Sequence, residues 1–178
     1  MGEPGSLDMN SCLRNAQQNL CIQSVNLRES KVFVRDDIEF PDLDRDETAV
    51  QSFRSVSKIK EITLGSPDND DDIWDYRFFY TVGIRLIFSS EKEDSLEEDY
   101  QSILEIVGVF EAKYISKTQL EEDDLDAFST DNVGYHVWPY WREYVQSTCA
   151  RIGFAPAFEV PVYIVPRKDE KPEAKRKV

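Results

Sequence analysis

The side chains able to do chemistry are few and scattered. The chain holds one histidine, His136, and three cysteines, Cys12, Cys21 and Cys149. A histidine serves as a general base only with a reacting group set against it. No recognised motif puts a serine, a cysteine or a second histidine beside His136, which stands near Trp138 at the start of an apolar stretch, where a structural role is expected. The cysteines are odd in number, and their spacing fits neither a disulfide framework nor a zinc motif. They read as free thiols of a reducing compartment. Asp68, Asp70 and Asp72 alternate in the manner of a calcium loop. The sixth position lacks the glycine, however, and Phe79 stands where the bidentate glutamate belongs, so the stretch reads as a solvated hairpin tip. With 7 glycines in all, there is no glycine-rich phosphate loop. No catalytic residue, metal ligand or cofactor is expected, and the chain reads as a non-enzyme. The competing reading is a small-ligand-binding protein or enzyme that uses a sheet–helix crevice near His136.

Composition narrows the partners. The 178 residues carry 21 basic and 35 acidic side chains, a net charge of -14. Such a field repels nucleic acid and anionic membranes and favours basic partners or positively charged stretches of an unfolded chain. No apolar run approaches the ~20 residues that a membrane span needs, and the first residues lack the basic and apolar regions of a secretory signal. A cytoplasmic location is expected. From Arg167 onward the balance reverses, with six Lys or Arg against three acids, which reads as a basic disordered tail over residues 167–178.

The pattern that positions these residues is one of strands followed by a helix. Residues 1–19 read as a flexible segment or short helix, with Ser11 as a cap. Cys21 to Arg35 reads as a first strand with a bulge near Ser30, Asp36 to Val50 as an acidic loop, and Ser52 to Leu64 as a second strand. From Tyr76 to Phe88 every even position is apolar (Tyr76, Phe78, Tyr80, Val82, Ile84, Leu86, Phe88), which means a strand with one buried face. Tyr100 to Ile115 repeats the alternation with Tyr100, Leu104, Ile106, Phe110, Ala112 and Tyr114. Links without helical pattern imply antiparallel neighbours. Residues 120–126 read as one acidic helical turn. A helix then spans about Asn132 to Ile152, capped by Asp131 or Asn132, bent by Pro139 and ended by Gly153 and Pro156. The fold class is α+β: a four-stranded antiparallel sheet with a long C-terminal helix packed on one face.

Residues 132–166 carry Trp138-Pro139-Tyr140, Arg142-Glu143, Gly153-Phe154, Pro156 and Pro161-Val162, in that order. This resembles the signature of the SecB family of export chaperones. Gly108-Val109-Phe110 is similar to the last strand of that family and Ile22 to Val34 to its first, so the resemblance covers a domain of about residues 20–166. It implies a homotetramer built as a dimer of dimers. It also implies ATP-independent holding of unfolded preproteins and handover to the motor SecA. Two departures stand out. There is no second C-terminal helix, and aligning Gly108 puts apolar Ile103 where a motor-docking glutamate is expected. The Glu121-Glu122-Asp123 stretch and Arg142-Glu143-Tyr144-Val145 resemble the SecB-like chaperones that protect an antitoxin in a toxin–antitoxin system. The clients implied are therefore preproteins or an antitoxin.

Two sets of site residues follow. The proline-interrupted apolar segment with Phe154, Phe158, Val160, Val162, Tyr163 and Ile164 cannot continue a helix or enter a central strand. It is expected to lie over the surface beside a groove and to bind clients. The helix offers Trp138, Trp141, Val145, Cys149 and Ile152 on one stripe and Tyr140 and Tyr144 on a neighbouring face. One helix ~10 Å across cannot cover a sheet about 19 Å wide. These residues are therefore expected at a subunit interface.

Overall fold

A computed structural model describes residues 8–66, 69–97 and 100–164. The elements run α1 (Met9–Asn19), β1 (Cys21–Val34), β2 (Thr48–Ser66), β3 (Asn69–Phe88), β4 (Leu104–Ser116) and α2 (Glu122–Arg151). The sheet is antiparallel throughout, in the order β1-β4-β3-β2. The α+β class and the long C-terminal helix are as the sequence predicts. The long loop after β1 does not return the chain to a neighbouring strand. β1 pairs only with β4, so the two strands joined by residues 35–47 lie at opposite edges. That connection crosses the end of the sheet where Val34, Leu104, Leu86 and Val50 share one row. Turns at Phe40–Asp42 and Arg45–Glu47 bend it on the way.

The even-numbered face of β3 is buried as its alternation requires: Tyr76, Phe78, Tyr80, Val82, Ile84 and Leu86 all belong to the core. Their β4 partners Tyr114, Ala112, Phe110, Ile106 and Leu104 are buried with them. Each large apolar side chain so removed from water contributes ~1.5–3 kcal/mol. Tyr100 precedes β4 rather than joining it, and donates its hydroxyl to Glu91 at 2.8 Å. The irregularities in β1 fall between Ile22 and Ser24 and between Leu27 and Glu29, not at Ser30.

The long helix begins ten residues before the expected start. Residues 122–126 form its first turn rather than a separate one, and neither Asp131 nor Asn132 caps it. Glu121 is the N-cap, in a reciprocal arrangement with Asp124, whose carboxylate accepts from the Glu121 N–H at 3.2 Å. This satisfies orphan amides, and Glu122, Asp123 and Asp124 complement the positive end of the helix dipole. The helix continues through Pro139. Helix α1, capped by Asp8 instead of Ser11, lies against α2 through buried Ala16 and an Asn15–Asp124 hydrogen bond of 2.7 Å.

These additions alter the account of the sheet face. Thirty helical residues, α1 and residues 154–163 together cover it, where a single shorter helix would leave half exposed. Trp141, Val145 and Cys149 are buried inside the chain's own core. Trp138 is nearly so, Tyr144 and Ile152 are half-buried against it, and Tyr140 stays exposed. The chain itself thus covers much of the sheet face, and of the helix residues expected at an interface Tyr140 is the exposed one.

Candidate functional site

Helix α2 ends in a left-handed glycine. Gly153 has φ +74°, and the Phe154 N–H donates to the Cys149 carbonyl at 2.9 Å. The chain then turns back over the sheet as an irregular strap, residues 154–164. Phe154 and Phe158 turn inward and stack at 4.9 Å between ring centroids. Phe40 meets Phe154 edge-on at 5.0 Å, and the Arg45 guanidinium lies 4.1 Å from its ring centroid. Val160 and Tyr163 also point inward, whereas Val162 and Ile164 are 68% and 75% exposed. The strap is therefore two-sided: four residues of the predicted client set anchor it, and two face outward.

Its far end is tied to the helix. The Trp138 indole N–H donates to the Pro161 carbonyl at 2.6 Å, and the Trp138 and Tyr163 rings meet edge-on at 5.2 Å. Gly134, one turn earlier, leaves room for Tyr163 and for the buried Tyr80 hydroxyl, which has no hydrogen-bond partner among the described residues. Burial raises the Tyr163 phenol above its ordinary range.

Between strap, helix and sheet lies a groove of about 590 Å³. One wall is the strap, from Glu159 to Ile164, and the floor carries Trp138, Trp141, Val82 and Ile84. The other wall is β2, with Val50, Ser52, Phe53 and Arg54. Val50 and Phe53 are 55% and 48% exposed. The strand residues were not singled out from the sequence. The signal available was the exposed β-branched and aromatic content of an edge strand, which becomes meaningful only once β2 is known to be an edge.

A second hollow of about 290 Å³ lies beyond Val162, lined by Tyr135, His136, Trp138, Pro139, Arg142 and Tyr163. It is the crevice of the competing reading. His136 Nδ1 lies 2.9 Å from the Tyr114 hydroxyl, and burial lowers the imidazole pKa, favouring the neutral ring. Tyr114 is buried, which raises its own pKa. The contact thus joins a weakened base to a phenol with a raised pKa. Among the described residues, no cluster of three His, Cys, Asp or Glu could hold a metal ion. Asp72 is exposed, while Asp68 and the side chain of Asp70 lie outside the described residues. No helix among the described residues is long and apolar enough to cross a membrane.

No family model matches the sequence, and no curated protein matches it. Among solved structures, the chain is similar to a SecB-like chaperone of Mycobacterium tuberculosis, solved in complex with a ChAD peptide from the HigA1 antitoxin. The likeness covers 87% of this chain and 100% of that one, at 13% identity and a TM-score of 0.49.

Proposed function

We propose that this chain is an ATP-independent chaperone, a holdase that receives extended segments of unfolded polypeptide in the groove between the strap and β2. The observation that carries this reading is the groove itself. Four of its apolar residues, Val50, Phe53, Val162 and Ile164, are exposed on its rims, where contiguous apolar surface marks a binding site. β2 is also an edge strand, so its outward N–H and C=O groups are free to pair with an extended chain. The guarding features of that edge, a register shift after Val56 followed by Lys58 and Lys60, lie beyond the groove. The half from Thr48 to Val56 is left receptive.

The clients of this reading are unfolded preproteins or an antitoxin, held in a reducing cytoplasm, where Cys12, Cys21 and Cys149 stay free. The assembly proposed is a homotetramer, a dimer of dimers. The exposed apolar side chains Ile22, Leu27, Val32 and Tyr140 are available to interfaces. Ile103 is fully buried and offers a motor nothing to grip, so weak or absent SecA binding belongs to the same proposal.

The test is suppression of aggregation of a denatured model protein without nucleotide. Val162→Asp with Ile164→Asp should abolish protection while leaving the fold intact, since both side chains face outward. Phe154→Ser with Phe158→Ser should abolish it by loosening the strap. Undiminished protection by the Val162/Ile164 variant would remove the groove from consideration.

A further inference from the structure

The groove holds one cation whose setting differs from that of its neighbours. Arg54, on β2, has its guanidinium 4.4 Å from the Tyr163 ring centroid and 5.3 Å from that of Trp138. Those rings are fixed to each other and to the Pro161 carbonyl, so the cation is held in place over the groove wall. Five other arginines have polar partners. Arg28 has Glu111, Arg35 has Asp37, Arg77 has Asp75, Arg85 has Gln51 and the Ser95 carbonyl, and Arg45 has the Pro156 carbonyl. Arg54, like Arg14, Arg142 and Arg151, has neither an ion pair nor a hydrogen bond among the described residues, but of these four it alone is held over aromatic rings. In a chain with 35 acidic side chains against 21 basic ones, an arginine left without a carboxylate in a groove is notable.

The two rings hold the guanidinium carbon at 4.4 and 5.3 Å from their centroids, and no acceptor among the described residues takes up its N–H donors. That fork matches a carboxylate, which it can hold with two parallel hydrogen bonds. The apolar side chains Val50, Val160 and Val162 line the same groove, and so does one carboxylate, Glu159, on the strap. Resting on the proposed holdase reading, we infer that the groove selects extended segments in which a side-chain carboxylate sits among apolar residues, with Arg54 as its receptor. Net charge alone would favour the opposite preference, for basic segments.

Three peptides with acetylated and amidated ends test this. They share one extended apolar sequence and differ only in a central Glu, Gln or Lys. Titrations that follow tryptophan fluorescence should give the Glu peptide an affinity about fivefold above the Gln peptide, the size of a partly exposed ion pair, with the Lys peptide weakest. Arg54→Gln should erase the Glu advantage, so that the Glu and Gln peptides bind that variant alike, and Arg54→Lys, which keeps charge but not the fork, should retain part of it. Glu159→Gln should keep the order of the three. A Lys peptide that binds as well as the Glu peptide, or a Glu preference that survives Arg54→Gln, overturns the inference. Equal binding of all three sinks this inference alone, whereas no binding by any of them sinks the holdase reading as well.

Discussion

Replacing Gly134 with alanine sets two effects of known sign against each other. In a helix interior alanine is favoured over glycine by ~1 kcal/mol, so propensity alone predicts a more stable protein. At this position the new Cβ would lie 2.5 Å from the Tyr163 hydroxyl, 2.8 Å from its Cζ and 2.8 Å from the Tyr80 hydroxyl. Neither ring can step aside cheaply. Tyr80 is 3% exposed in the core, and Tyr163 is held by Trp138 and Arg54. Overpacking of this kind costs about 1–3 kcal/mol. Displacing Tyr163 also forfeits an aromatic pair of ~0.5–1.5 kcal/mol and a cation–π contact of ~0.5–1 kcal/mol. The expected net is a destabilisation of about 1–3 kcal/mol, read from the midpoint of urea unfolding, together with a change in the fluorescence of Trp138. Adding Tyr163→Phe, which removes the hydroxyl that comes closest, should recover part of the loss. A Gly134→Ala protein at least as stable as the parent would refute the packing of strap on helix described above.

Trp141→Ala, at a fully buried site, should cost ~3–5 kcal/mol in denaturant titration, and Trp141→Asp should leave the chain unfolded, since it buries an unpaired charge. His136 is the one histidine, so its NMR titration is unambiguous. Burial lowers its pKa, so the unfolded chain takes up the proton first, and the contribution of His136 to stability is lost as pH falls from ~6.5 through the folded value; a folded pKa above 6.5 would contradict this. Burial would raise the pKa of Asp75, but hydrogen bonds from Arg77 and Lys113, at 3.0 and 3.1 Å, outweigh it and lower it. Stability from Asp75 is therefore present above ~pH 3.9 and lost as pH falls through its folded value, and Asp75→Asn should flatten that acid limb while costing about 1–3 kcal/mol at neutral pH. Thiol titration of the native protein should modify exposed Cys21 quickly, with buried Cys12 and Cys149 reacting only on unfolding.

The elements most legible in the sequence are those whose burial is one-sided and local. β3 announces itself because one face is wholly buried and the other half-open, so polarity alternates with the pleat. The helix body is legible through Trp141, Val145 and Cys149, four residues apart. Its first ten residues are less so, because the acidic stretch to Asp126 reads as a separate turn until the reciprocal Glu121–Asp124 cap is recognised. The pairing of β1 with β4 is set by contacts that no local pattern encodes. The strap is legible as an irregular apolar segment beside a groove. Its inward and outward sides are not, because they depend on how it turns past Pro156 and Pro161. Arg54 lies in a strand whose polarity gives no hint of the two rings that meet it.

The strand order has a consequence for the making of the protein. Ile22 sits opposite Tyr114, and Ala16 waits for a helix that begins at Glu122. The β2–β3 hairpin can close as soon as it emerges from the ribosome, since its partners are near in sequence. The first strand cannot, because its only neighbour is made some ninety residues later, and long-range pairing is the slow step in folding. Until β4 is made, the amino-terminal strand has no sheet neighbour to pair with, so the sheet is completed from its β2 edge towards β1.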